Sequence, residues 1–180
     1  QGGGIIEGVV GTGPGATTRF DYFVSGQPFT NSAMFYADTG ATNVFTGHFV
    51  FDLPSPNFQG PGNNDFTSGY ANFTAPITNL TLNGVLEGDN LLIGVLNLVN
   101  NGGISGVLTV ASNATLNVNS LRDGVLEYGT QLTNYGTINW LGNTLRIHSI
   151  PGIPNQTTSI YNRPGALFEI GCDEHMELAE

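Results

Sequence analysis

The word Gly-Val-Leu stands at 84–86 and returns at 94, 106 and 124, and related words of the form small-x-apolar-x-apolar begin at Ala114 (ATLNV), Gly136 (GTINW), Asn143 (NTLRI) and Gly165 (GALFEI). In an extended strand this alternation puts the apolar side chains on one side. A single such strand cannot shelter that side, but coils stacked like on like can, so repetition specifies the core. Taken alternately, the words lie 22 (84 to 106), 20 (94 to 114), 18 (106 to 124), 22 (114 to 136) and 19 (124 to 143) residues apart. The spacing predicts coils of about twenty residues with two principal strands per turn. Gly ahead of each strand permits a tight corner. Asn at 83, 90, 100, 101, 119, 134 and 143 tolerates left-handed backbone and can stack amides between coils. The rival is a β-sandwich, which also shows short strands at close intervals. Against it, the hairpin signal Asn-Gly occurs only at 83–84 and 101–102.

Vocabulary changes near residue 75. Ten of the eleven Phe residues lie at or before Phe73, Leu occurs only at Leu53 before Leu80, and residues 77–150 contain no Pro. Aromatic alternation at 19–24, 33–37 and 48–53 still reads as strand, without the twenty-residue rhythm. The expected organisation is a Phe-rich β cap or small β module over 1–75, a β-solenoid over 76–170 and a polar tail over 171–180. In that tail, residues 173–180 carry the best helix formers of the chain, though one or two turns of helix are marginal alone.

The stretch Leu132–Trp140 (LTNYGTINW), followed by Ile160–Ile170 (IYNRPGALFEI), resembles the degenerate repeats of bacterial secreted and surface proteins that form right-handed parallel β-helices. The resemblance covers about residues 78–170. It implies an all-β right-handed parallel β-helix and a secreted, cell-surface location, and it transfers no catalytic residue. Proteins of this type serve as adhesins, surface scaffolds and polysaccharide-degrading enzymes.

Four basic residues, all Arg, stand against fourteen acidic ones, giving a net charge of −10. No cationic footprint for nucleic acid exists, and anionic membrane surfaces are disfavoured. No apolar run has the length of a membrane span. Cys172 stands alone, so an intrachain disulfide is excluded. Gln1 in place of Met fits a processed or partial chain, a mature secreted protein among them.

Candidate chemistry is sparse. Glu87 and Asp89, two apart on a strand, with Asp123 and Glu127 further on, offer paired carboxylates for glycoside chemistry; Arg122, Arg146 and His148 are the only bases in the Pro-free block 77–150. Asp65, Glu87 and Asp89 are oxygen donors of the kind Ca2+ takes, the one cofactor considered, although an ordinary solvated turn explains them as well. Cys172 and His175, with Asp173 and Glu174, make half a metal site at best. His48 reads as the rim of an aromatic core. Exposed Tyr135, Trp140 or Tyr161 would platform a polysaccharide. Ile5, Ile6, Val9 and Val10 form an alternating strand that either adds to a neighbour's open edge or pairs within its own chain. Four Asn-x-Ser/Thr sequons occur, at Asn72, Asn79, Asn113 and Asn155. The expected function is that of a non-enzymatic extracellular structural protein associating with copies of itself; the alternative is a polysaccharide-binding or polysaccharide-degrading β-helix.

Overall fold

A computed structural model of the chain describes residues 6–22, 28–150 and 152–179. These form sixteen strands and no helix: β1 (Ile6–Thr12), β2 (Thr17–Tyr22), β3 (Phe29–Ala37), β4 (Thr42–Phe51), β5 (Phe58–Gln59), β6 (Asn63–Phe73), β7 (Ile77–Leu82), β8 (Val85–Asn100), β9 (Gly103–Val110), β10 (Thr115–Ser120), β11 (Gln131–Asn134), β12 (Thr137–Trp140), β13 (Leu145–His148), β14 (Ser159–Asn162), β15 (Leu167–Ile170) and β16 (Met176–Ala179). Every strand pairing is parallel. The chain therefore winds forward as a β-solenoid, and the antiparallel sandwich is excluded.

The pairing partners divide each turn among three faces. The first stacks β2, the start of β4, the start of β6, β7, the end of β8, β10, β12 and β15. The second stacks residues 29–31, 48–51, 70–73, 85–86, 103–105 and 126, then β13 and β16. The third runs through β1, residues 32–37, β5, residues 89–92 and 107–110, β11 and β14.

Three faces correct the expectation of two strands per turn. Gly-Val-Leu marks a corner rather than one column: it opens the second face at 84 and 124, the first at 94 and the third at 106. Of the spacings read from the sequence, the series 94, 114, 136 is a true column, with Leu96, Leu116 and Ile138 in register. Alternation reports which side chains point inward, but not which side of the coil they line.

One inward column on the first face runs Phe20, Phe45, Phe66, Leu82, Leu98, Val118, Trp140, Ile170. Its steps are 25 (20 to 45), 21 (45 to 66), 16 (66 to 82), 16 (82 to 98), 20 (98 to 118), 22 (118 to 140) and 30 (140 to 170) residues. The Phe-rich stretch expected as a cap is wound in the same way, and β1 through β12 belong with β14 and β15 to one 14-stranded sheet. Its interior differs in filling. Phe20 stacks on Phe45 at 5.0 Å, Phe45 on Phe66 at 6.3 Å, and Phe51 on Phe73 at 4.6 Å. Its rhythm is blurred by an extra residue, Thr67, which shifts the β4–β6 register between Phe45 and Thr46.

The tail is strand rather than incipient helix: β16 pairs with β13, Leu145 opposite Met176 and His148 opposite Ala179. Parallel pairing with a preformed neighbour outweighs the weak helix propensity of so short a segment.

Candidate functional site

Along the second face, charged and aromatic side chains stand on successive turns. Near its start, His48 Nε2 lies 3.4 Å from Glu87 Oε2, and the Tyr70 ring tilts against the His48 ring at 5.5 Å. Further on, Arg122 donates from Nε (3.1 Å) and Nη2 (2.6 Å) to Glu127 Oε1, while Glu127 Oε2 faces His148 Nδ1 at 3.3 Å. The Tyr128 ring stacks on His148 at 5.0 Å. Beyond these, Arg146 donates to Asp123 (3.0 Å) and Glu177 (3.2 Å). The bond to Asp123, with Glu177 close by, raises the Arg146 guanidinium further above its ordinary value.

Between the two halves of this ladder the surface dips. Ser105 is the register partner of Glu87. On its other side the Ile104–Leu126 bridge brings Glu127 alongside, its N–H donating to the Ile104 carbonyl. A short side chain between two long ones leaves a trough of about 280 Å³ lined by Tyr70, Val85, Glu87, Ser105, Arg122, Glu127 and Tyr128.

Of the residues singled out from the sequence, His48 meets Glu87, and Arg122, Asp123, Glu127, Arg146 and His148 gather on the second face, while the others are scattered. Glu87 and Asp89 do not share one face of a strand. Gly88, at φ 79°, lies between them where the chain turns from the second face to the third, and Asn90 closes the corner by donating to the Glu87 carbonyl. Asp65 lies within β6 on the first face, between Val44 and Thr81, so it joins neither of the other two. Its carboxyl is pushed above the ordinary 3.8 by burial, against a smaller lowering by a hydrogen bond with Thr81. Among the described residues no three His, Cys, Asp or Glu side chains gather as metal ligands would.

Trp140 is 2% exposed, a filler of the inward column whose Nε1 donates to the Asn143 carbonyl at 2.8 Å. It offers no face to a sugar. Tyr135 and Tyr161 are exposed and bracket the Arg163 guanidinium, at 5.9 and 5.3 Å from the ring centres. His175 is exposed, 3.7 Å from Glu177, and Cys172 is a partly buried free thiol packed against the core. Ile6, Val9 and Val10 belong to β1, which pairs within its own chain: Ile6 opposite Asn31, Val9 opposite Met34, Val10 opposite Phe35. Ile5 lies outside the described residues.

Tyr70, Ser105 and Tyr128 escaped notice in the sequence because only register aligns them. They belong to different words of the repeat. The signal available was that Tyr70 and Ser105 each occupy an outward position beside an inward apolar residue, Ala71 and Ile104, while Tyr128 stands at a turn two residues after inward Leu126.

Known proteins supply no shortcut to a role. Comparison finds no matching family model, no matching curated protein and no matching solved structure. The trough and the ladder of ion pairs must be read on their own chemistry.

Proposed function

We propose that this chain is a non-enzymatic extracellular structural module, a β-solenoid of a surface layer, adhesin or filament that associates with copies of itself through its ends. The observation that carries this reading is the turn formed by β14, β15 and β16. Its strands pair on one edge only among the described residues. Its inward columns also lie open: Ile170, which continues the column of Trp140, is 59% exposed, as is Leu178, which continues the column of Ile147. An uncovered parallel edge with apolar side chains recruits another strand edge. At the opposite end, β1 and β2 are likewise outermost in their stacks among the described residues.

Sedimentation over a wide concentration range tests the reading. The expected result is growth of elongated particles with concentration, abolished by Ile170→Lys with Leu178→Lys. A monomer at every concentration, or assembly indifferent to that pair of substitutions, overturns it.

A further inference from the structure

We propose that the trough on the second face binds an uncharged oligosaccharide laid along the solenoid axis. This goes beyond end-to-end assembly and does not depend on it.

The trough has a ring at each end and hydrogen-bonding groups between. Tyr70 is 45% exposed and Tyr128 39%, each presenting ring surface to solvent while its other contacts hold it: Tyr70 against His48, Tyr128 stacked on His148. Tyr70 pairs with Val85, Val85 with Gly103, and the Ile104 bridge leads to Leu126, two residues before Tyr128. The two rings are thus three turns apart, roughly 14 Å along the axis at about 4.8 Å per step. That is the reach of a short chain of sugar rings, not of a single one. Flat aromatic faces suit the C–H face of a pyranose, and a polar tip suits its hydroxyls.

The groups between the rings select against charge. Glu87, Glu127 and the Ser105 hydroxyl accept hydrogen bonds from hydroxyl groups. Arg122 is spent on Glu127, and His48 and His148 face Glu87 and Glu127, so among the described residues no free cation faces the trough to receive a carboxylate or sulfate. A chain carrying a net charge of −10 repels an anionic polymer before contact. A cationic peptide would be drawn by the same carboxylates, of which Glu127 already has the Arg122 guanidinium as its counter-charge, and hexalysine is the competing occupant the test includes.

The test is titration calorimetry with hexasaccharides of β-1,4-glucose, β-1,3-glucose, α-1,4-glucose and β-1,4-N-acetylglucosamine, beside hexagalacturonate and hexalysine, at low and high salt. At least one neutral hexamer is expected to bind with an affinity that salt leaves unchanged. Tyr70→Ala and Tyr128→Ala should each weaken it roughly tenfold without changing the melting temperature, since both side chains lie outside the core. Ser105→Tyr, which fills the notch, should abolish it with the fold intact by circular dichroism. The proposal is overturned if no neutral hexamer binds at millimolar concentration, if binding survives loss of both tyrosines, if hexagalacturonate binds more tightly, or if only hexalysine binds and salt removes it.

Discussion

Asn117 stands between two identical neighbours. Its Nδ2 donates to Asn97 Oδ1 at 2.8 Å and its Oδ1 accepts from Asn139 Nδ2 at 2.9 Å, while Asn97 Nδ2 reaches Thr81 Oγ1 at 3.5 Å. An amide is both donor and acceptor, so a column of Asn can satisfy itself turn after turn where charges of one sign would repel. The ladder ends at Asn139, whose Oδ1 is buried without a partner and whose register neighbour is Glu169, an acceptor when ionised. Asn117→Ala removes two bonds at about 1 kcal/mol each, and should lower the melting temperature by roughly 4–8 °C in a domain of this size. An unchanged melting curve would mean the ladder is ornamental. Amide stacking was expected at corners, and Asn143 on Asn119 and Asn134 on Asn162 do stack there. The mid-strand ladder was invisible because Asn in a strand carries no mark of what lies one turn away. One position higher in the same column, Asp65 behaves oppositely. Burial raises its pKa, so the folded state holds the proton more tightly than the unfolded one. Stability is therefore lost as pH rises from the ordinary 3.8 through the raised value. Asp65→Asn, which keeps an acceptor for Thr81, should melt higher than the parent at pH 7 and the same at pH 3. Equal gains at both pH values would refute the assignment.

Within an element, the corner glycines explain why one word recurs on different faces. Gly106 follows Ser105 at φ 123°, a backbone that residues with a Cβ rarely adopt, and a Cβ built there runs into the Gly88 carbonyl of the preceding turn. Gly69 stands over Gly47 in the same relation. Turns in a parallel stack approach closely enough at these corners that only a hydrogen fits. Gly106→Ala is expected to cost about 3 kcal/mol, read from urea denaturation. Gly13→Ala, where nothing lies within 4 Å of the added carbon, should be near neutral. Equal effects would show that the corner is slack. The fold class was legible because stacking demands repetition and repetition is written in the chain. The three-sided cross-section was not, since Gly-Val-Leu encodes a corner and a strand start with no label for the face. The trough was still less legible: Glu87 and Glu127 were visible as carboxylates, but their setting about Ser105 depends on the register of 87 with 105 and of 104 with 126, which the recurring word does not mark.

Across the whole molecule, the filling of the interior changes along the axis. Rings occupy the early turns, Leu and Val the middle ones, and at the last the same inward columns lie open at Ile170 and Leu178. In a solenoid each turn is held chiefly by its neighbours, so stability varies from turn to turn rather than being shared by one global core. Amide hydrogens of β7, β8 and β10 should therefore exchange most slowly and those of β14, β15 and β16 fastest. Leu98→Ala, in the closed middle of a column, should cost about 3 kcal/mol, whereas Ile170→Ala, at its open end, should cost well under 1 kcal/mol because most of its surface is already wet. If the open end is where copies meet, protection in β15 and β16 will rise with protein concentration while that of β8 stays fixed. Uniform protection along the axis at every concentration would contradict both the graded interior and assembly through the ends.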